Sequence, residues 1–216
     1  MKLAVGSKSW ILSSFFSGII LLILSILLLQ NNFSYVLLLT SAFLFLLTGF
    51  FIMFFRDPER IIGKGIVACA DGKIRDVYEI KDKDVGSSIC ISTFMNVQNV
   101  HVNRMPINGK IKKIEHKHGL HLPAFKKESE KNERITIIAD SKIGKLKIIL
   151  IAGTLARRIV PYIKKEDELK KGKRIGIIRL GSRVDIYLPK KSIKKICVKK
   201  GDKVKAGENK IAEIND

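Results

Sequence analysis

The sequence predicts a mainly β protein whose strands follow an N-terminal hairpin of two transmembrane helices. Residues 9–55 contain no Asp, Glu, Lys or Arg, whereas all 20 acidic residues and all but two of the 40 basic ones lie after residue 55. Beyond residue 56 the pattern changes to short runs of alternating polar and apolar residues, separated by glycines and charged turns. We therefore expect a membrane anchor, residues 1–55, and one compact domain, residues 56–216.

The apolar part of the anchor is long enough for two membrane crossings. About 20 apolar residues span a bilayer as a helix, and two such runs, residues 11–29 and 35–55, flank the polar turn 30–34. A cleaved signal peptide is the competing interpretation. It fits less well because two full-length runs exceed the apolar region of a signal peptide and no small-residue cleavage site stands out.

The charges that flank this hairpin predict its orientation. Lys2 and Lys8 precede it, and Arg56 and Arg60 follow it. An even number of spans leaves both flanks on one side of the membrane, and basic flanks favour the cytoplasmic side. We expect a cell-membrane protein whose β domain faces the cytoplasm.

The β domain is strongly basic, and such a charge often indicates nucleic-acid binding. Its basic residues are scattered over the whole domain, however, without a nucleic-acid-binding signature or a set of stacking aromatic residues. A domain tethered beside an anionic lipid surface gains from the same charge. The sequence therefore predicts a membrane surface, and no nucleic acid, as the partner.

The candidate strands of the β domain are short. Alternation, as in residues 145–148 and 183–186, is typical of strands with one buried face. Residues 164–171 form either a short surface helix or a solvated loop. The predicted strands are residues 65–70, 73–80, 88–93, 100–105, 110–116, 134–139, 145–151, 175–180, 183–188, 194–198 and 210–214.

Two turn segments indicate which kind of β fold to expect. Residues 198–208 place Gly201 and Gly207 around Val204 and look like the turn of lipoyl- or biotinyl-type domains, and residues 70–74 suggest a second such turn. No lysine lies in a carrier-type modification motif, so we interpret these turns as structural. We expect a β-sandwich or barrel-sandwich-hybrid-like domain with lipoyl-like turns.

A Gly181-Ser182 pair stands at the junction of two β-like runs. Alone it is an ordinary turn, but three upstream segments accompany it: residues 68–72, 94–104 and 153–159. In this order, from about Phe54 to the C terminus, the four segments resemble the phosphatidylserine decarboxylase proenzyme family in its short form, which includes archaetidylserine decarboxylases.

The resemblance implies a self-processing carboxy-lyase whose pyruvoyl cofactor is made from Ser182. Ser182 would attack the carbonyl of Gly181 and convert the peptide bond into an ester. Glycine suits this position because it tolerates backbone geometry that other residues resist. Elimination and hydrolysis would leave the pyruvoyl group at the start of a new chain, 182–216, which forms a heterodimer with chain 1–181.

The resemblance also implies a substrate and a product. The pyruvoyl group would take up the amine of a serine phospholipid, either phosphatidylserine or archaetidylserine, and accept the electrons released as CO2 leaves. The product would be the ethanolamine phospholipid. The sequence leaves open the chemistry of the hydrocarbon chains and whether a higher oligomer forms.

Asp71 and His101 are the other catalytic candidates. Asp71 lies in an Ala-Asp-Gly turn, where Asp is an ordinary turn former, and a lone histidine such as His101 is more often a core or surface side chain. A serine is a weak nucleophile until a base accepts its proton, and the family motif supplies an Asp that supports serine activation. We therefore expect a triad of Asp71, His101 and Ser182.

One position departs from the longer members of the resembled family. Those forms have a second histidine three residues after the first, whereas this chain has Arg104 there. Either His101 serves both maturation and protonation of the decarboxylated intermediate, or another group takes one of these steps.

Substrate contacts are expected from two further segments. Phe125 would meet the lipid chains from a loop near the head group, and Arg157 and Arg158 would pair with the lipid phosphate, for which guanidinium geometry is suited. A structural salt bridge is an equally good interpretation of the two arginines.

The loop that carries Phe125 also carries three histidines, which together suggest a zinc site: His116, His118 and His121. We expect no metal, because no fourth ligand or carboxylate is suggested nearby.

A non-enzymatic alternative is a membrane-anchored adaptor with a lipoyl-like β domain. Adaptors of that class usually carry a long α-hairpin inside the β domain, and the sequence has no heptad pattern that would predict one. The adaptor hypothesis also gives no reason for the Gly181-Ser182 junction.

Overall fold

The computed structural model describes residues 2–28, 32–120, 131–153, 158–179 and 182–215. The chain divides into two compact units, Met1–Glu59 and Arg60–Asp216. The first unit contains two apolar helices and the second is built from β-strands. The predicted fold class, a helical hairpin followed by a mainly β domain, is confirmed.

The first unit is a hairpin of helices α1 (Lys8–Leu27) and α2 (Phe33–Phe54), both long and apolar enough to cross a membrane. Small polar residues join them: the hydroxyls of Ser14 and Thr48 lie 2.8 Å apart, and Ser41 Oγ donates to the Gly18 carbonyl at 2.8 Å. In an apolar environment such groups need partners of this kind. The flanking strands are β1 (Lys2–Leu3) and β2 (Arg56–Asp57), which pair with each other.

The connection between the two helices begins and ends earlier in the chain than the sequence predicts, because α1 ends at Leu27 and α2 begins at Phe33. Residues 33 and 34 belong to the first turn of α2 and not to the connection. The Ser34 side chain is buried, and its carbonyl accepts a hydrogen bond from Ser25 Oγ at 2.9 Å. This contact stabilises the start of α2 against the end of α1.

The second unit consists of a long curled sheet and two small three-stranded sheets. The long sheet has the order β11-β7-β8-β9-β13-β5-β4-β15, and the small ones are β10-β12-β6 and β14-β16-β3, with antiparallel pairing between the described neighbours. The strands are β3 (Ile66–Val67), β4 (Gly72–Asp82), β5 (Gly86–Met95), β6 (Val102–Arg104), β7 (Gly109–Lys117), β8 (Arg134–Ser141), β9 (Gly144–Ala152), β10 (Ile159–Pro161), β11 (Glu168–Leu169), β12 (Arg174–Ile178), β13 (Ser182–Pro189), β14 (Ile193–Ile196), β15 (Lys203–Val204) and β16 (Lys210–Ile214).

The core lies on one face of the long sheet. Alternate residues of its central strands are buried there, as strand periodicity requires. Ile135, Leu150 and Val184 form one such row across β8, β9 and β13. The next row towards the end of the sheet contains Ala152 and Ser182, so the serine lies where the apolar core ends.

The two turn segments that the sequence singles out are neighbours in the structure. β15 pairs with β4, Val204 opposite Gly72. Ile74 N donates to Asp202 O and Gly201 N donates to Ile74 O, both at 2.8 Å. Residues 164–171 contain no helix; they form turns and the short strand β11 beside β7.

Candidate active site

Ser182 is the first residue of β13, a strand held between β5 and β9. Its register partners are Met95, the last residue of β5, and Ala152, the last residue of β9. Ser182 is fully buried, and its hydroxyl oxygen has no hydrogen-bond partner among the described residues. A buried hydroxyl normally has a hydrogen-bond partner. Ser182 therefore differs from a buried serine whose role is only structural. Gly181, the other side of the predicted cleavage site, lies outside the described residues.

The row that contains Ser182 continues across β9 to Glu133, the residue before β8. Ala152 N donates to the carbonyl of Glu133 at 2.9 Å, which places Glu133 opposite Ala152. β7 and β8 stay paired as far as Lys117 and Arg134, and His116, which is opposite Ile135, has its Nε2 2.9 Å from Glu133 Oε1. Because residues in register share a face, Glu133 and Ser182 point to the same side of the sheet and are two strands apart.

His101 follows β5 after a short turn and is fully buried. Its Nδ1 lies 2.9 Å from the Asn99 carbonyl oxygen. Because a carbonyl oxygen only accepts, Nδ1 carries the hydrogen and the neutral ring has its lone pair on Nε2. His101 O accepts from Ile178 N at 3.3 Å, four residues before Ser182 in the chain. This hydrogen bond fixes His101 beside the segment that leads to the serine.

Asn103 is a polar residue that the sequence analysis did not single out. It is fully buried, and its Nδ2 lies 3.7 Å from the sulfur of Met95, the register partner of Ser182. Its Oδ1 finds no hydrogen-bond partner within the described parts of the chain. The signal that could have revealed it is the spacing: residues two apart on a strand share a face, and Asn103 is two residues after His101.

Asp71 is held in a different way. Its Oδ1 accepts from Ala206 N and its Oδ2 from Arg60 Nη2, both at 2.8 Å, and Arg60 Nη1 also contacts Glu208 at 3.0 Å. Burial raises the pKa of Asp71, and Ala206 and Arg60 offset this only in part. Since both carboxylate oxygens are engaged here and His101 Nδ1 is engaged by Asn99, the hydrogen bond between Asp71 and His101 stays a prediction.

Of the other residues singled out in the sequence, the structure describes Arg158 and Arg104. Arg158 is exposed, and its carbonyl accepts from Arg179 N at 3.2 Å. Arg157, Phe125 and His121 lie outside the described residues. Arg104, which stands where longer members of the family have a second histidine, is buried. Its Nη1 donates to the Gly172 carbonyl at 3.1 Å.

Glu133 supplies the carboxylate that the sequence analysis did not find beside the histidines. Its Oε1 lies 2.9 Å from His116 Nε2, and the rings of His116 and His118 have centroids 4.5 Å apart. The neighbouring Asn132 donates from Nδ2 to the Ala152 carbonyl at 2.7 Å. The sequence does not reveal this cluster, because Glu133 is brought next to the histidines only by the pairing of β8 with β7.

The chain combines an apolar helical hairpin with a mainly β domain that has a buried serine at the start of a strand, and its similarity to known proteins identifies its family. Residues 47–212 match the model of the family described as phosphatidylserine decarboxylase. The chain belongs to the phosphatidylserine decarboxylase family, whose members are carboxy-lyases. The resemblance is thereby confirmed, and the adaptor alternative is wrong.

The chain is similar to several curated relatives. It is 43% identical over 215 residues to a protein of Methanosarcina barkeri named as an archaetidylserine decarboxylase proenzyme, covering 98% of both chains. Identity to the protein of the same name from Methanosarcina acetivorans is 47% over 173 residues, 79% of this chain and 78% of the relative. A phosphatidylserine decarboxylase proenzyme of Streptomyces avermitilis is 45% identical over 159 residues, 73% of this chain and 71% of the relative.

Proposed function

We propose that the chain matures by cleavage between Gly181 and Ser182 and then decarboxylates a serine phospholipid to the ethanolamine phospholipid. The observation that carries this proposal is the fully buried hydroxyl of Ser182, at a strand start and without a partner in the described structure. Leaving such a group unpaired costs about 1–3 kcal/mol. The cost is understandable for a hydroxyl that has to react.

In the first step Ser182 Oγ attacks the carbonyl carbon of residue 181. The C–N bond breaks, an ester forms, and the proton lost by the Ser182 hydroxyl is delivered to the nitrogen, which leaves as a free amine. Loss of the Ser182 Cα proton then breaks the Cβ–Oγ bond by elimination. A carboxylate ends chain 1–181, and dehydroalanine begins chain 182–216. Water converts the dehydroalanine into a pyruvoyl group and ammonia.

His101 is the base in this proposal. The Asn99 carbonyl holds the hydrogen on Nδ1, which leaves Nε2 as the atom that accepts the proton of Ser182 Oγ. Asp71 is the proposed orienting member of the triad, and in the structure its carboxylate oxygens accept hydrogen bonds from Arg60 and Ala206.

The residues around Ser182 fit a pyruvoyl group at this position. Asn103 is buried and its Nδ2, 3.7 Å from the sulfur of Met95, can donate to a carbonyl at this position, and the residues of the neighbouring row are apolar and buried. When formed, the pyruvoyl carbonyl supplies the site that binds the amine of the serine head group and takes up the electron pair released as CO2 leaves.

The names of the relatives give two substrates to test, archaetidylserine and phosphatidylserine. The apolar helices would bring the domain to the membrane that contains either lipid. We propose a cytoplasmic orientation from the basic flanks Lys2, Lys8 and Arg56. Arg158, with Arg157 and Phe125, is proposed to contact the lipid.

The test is cell-free synthesis into vesicles, with intact mass measured over time. We expect two chains, 1–181 and 182–216, the smaller lacking a free amino terminus, and release of CO2 from vesicles with a serine lipid. Ser182→Ala should remain a single inactive chain. Ser88→Ala is the matched control, because Ser88 is also fully buried on a neighbouring strand but its hydroxyl donates to the Gly86 carbonyl.

Two results would count against the proposal. CO2 release by preparations that contain only the intact 216-residue chain would exclude the pyruvoyl mechanism. Cleavage of Ser182→Ala at the normal rate would place the scissile bond elsewhere.

A further inference from the structure

The cluster of His116, His118 and Glu133 has the donor set of a divalent metal site. One ligand atom from each residue lies within 4.8 Å of the others, and His116 Nε2 is 2.9 Å from Glu133 Oε1. In a tetrahedral site with metal–ligand distances of about 2.0–2.2 Å, donors are about 3–3.5 Å apart. Small side-chain rotations would therefore bring the three donors around one ion.

The surroundings of the three side chains suit a bound ion. Both histidines are exposed, so an ion can enter, whereas the Glu133 side chain is only 8% exposed. A carboxylate held this far from water is favoured by a cation beside it. Strand alternation directs the basic neighbours Lys117 and Arg134 to the opposite face of the sheet.

The cluster also shares the face of the sheet that carries Ser182. Glu133 and Ser182 occupy one row with Ala152 between them, so they are separated by two strand spacings, about 10 Å. In a serine phospholipid, two carbons and one oxygen separate the amine from the phosphorus. A head group whose amine is held at position 182 can extend its phosphate along this row.

We propose that His116, His118 and Glu133 bind a divalent transition-metal ion, zinc above all, whose open coordination position takes the phosphate of the lipid substrate. Two imidazoles and one carboxylate with one free position form the donor set of open zinc sites. The sequence-based expectation of no metal rested on a missing carboxylate, and Glu133 removes that objection. The phosphate role rests on the proposed function, whereas the ion site itself does not.

The first test measures the ion alone. Full-length protein in detergent, stripped with a chelator, should bind one equivalent of Zn²⁺ by calorimetry and should turn Co²⁺ into the intensely coloured four-coordinate form. His118→Ala and Glu133→Gln should each weaken binding at least about tenfold. Glu115→Gln is the matched control, since Glu115 is adjacent to His116 but its side chain is 44% exposed and paired with Lys113.

The second test measures the phosphate contact. With the mature enzyme, removal of the ion should raise KM for the serine lipid about tenfold or more and leave kcat largely unchanged, and Zn²⁺ should restore KM. His118→Ala should show the raised KM with or without Zn²⁺. Self-cleavage of the precursor should proceed normally in the chelator, because it does not involve the lipid.

Each outcome separates the two proposals. Wild-type protein that takes up no ion, or His118→Ala that binds as tightly as wild type, would overturn the metal site. Binding without any change of KM on stripping would overturn the phosphate role. Should Glu133→Gln fail to fold, the exposed His118→Ala decides alone. Failure of self-cleavage would instead contradict the proposed function and leave the ion titration valid.

Discussion

The turn that holds Asp71 and the strand start that holds Ser182 are both buried and polar, but their hydrogen bonding differs. At Asp71 both carboxylate oxygens accept hydrogen bonds, from Arg60 and Ala206. At Ser182 the hydroxyl, and near it Asn103 Oδ1, have no partner in the parts of the chain that the structure describes. The first is the usual state of buried polar groups in folded proteins. The second is a local cost that stability alone does not explain.

The difference separates groups that stabilise the fold from groups that are kept for reaction. Arg60 and Asp71 join the segment before β3 to the turn after β15, a contact between residues far apart in sequence. Ser182 lies where β13 begins, between the ends of β5 and β9, while Asn103 is on β6 in contact with Met95 and His101 lies just before β6. Substitutions in the two regions should therefore affect different measurements.

The largest effect is expected for His101→Ala. Removing a general base costs about two to four orders of magnitude in rate, so self-cleavage should slow greatly without vanishing. A time course of precursor and products after cell-free synthesis measures this. If the variant matures at the normal rate and only CO2 release is lost, His101 acts in decarboxylation alone.

The comparison of His101→Ala with Asp71→Asn tests the triad. Members of one catalytic unit are strongly non-additive, so a triad requires that the double variant cleave hardly more slowly than His101→Ala. If the two effects multiply, Asp71 acts through the fold and not through His101.

Next in size is the loss of stability in Arg60→Ala. The Arg60 and Asp71 side chains are only 6% and 10% exposed, and removing one partner of such a pair leaves a buried charge, at a cost of about 3 kcal/mol. Thermal unfolding in detergent, followed by circular dichroism, should show a clearly lower midpoint. Lys190→Ala is the control, because its contact with Glu79 is exposed and should be worth little. Equal midpoints for the two variants would contradict the assignment of the Asp71 turn to fold stability.

The smallest effect on stability is expected for Asn103→Leu. Replacing a buried amide that has an unsatisfied oxygen by an apolar side chain of similar size is nearly neutral or stabilising. The rate of cleavage or of CO2 release should nevertheless fall about tenfold, the value of one lost hydrogen bond to a reacting group. A variant that is much less stable but fully active would place Asn103 with the structural groups.

The sequence predicts the long strands well because alternation marks their buried faces. It also places Ser182 at a strand junction and the two turn segments at glycines. The strands β11 and β15 are too short to show a period, and β10 was not predicted either.

Contacts between distant residues are what the sequence does not reveal. The pairing of Asp71 with Arg60, of His116 with Glu133 and of Asn103 with Met95 depends on the order of strands in the sheet. Alternation tells which side chains share a face, but not which strand comes next to which.

The position of β13 has a consequence for the proposed mature enzyme. β13 lies between β9 and β5, and the later strands β15 and β16 pair with β4 and β3. Cutting the chain before Ser182 would thus free no fragment, but it would turn unfolding from a one-body into a two-body process. The halves, once separated, would have to find each other by diffusion, so the thermal midpoint of the mature protein would rise with concentration, whereas that of the uncut precursor would not.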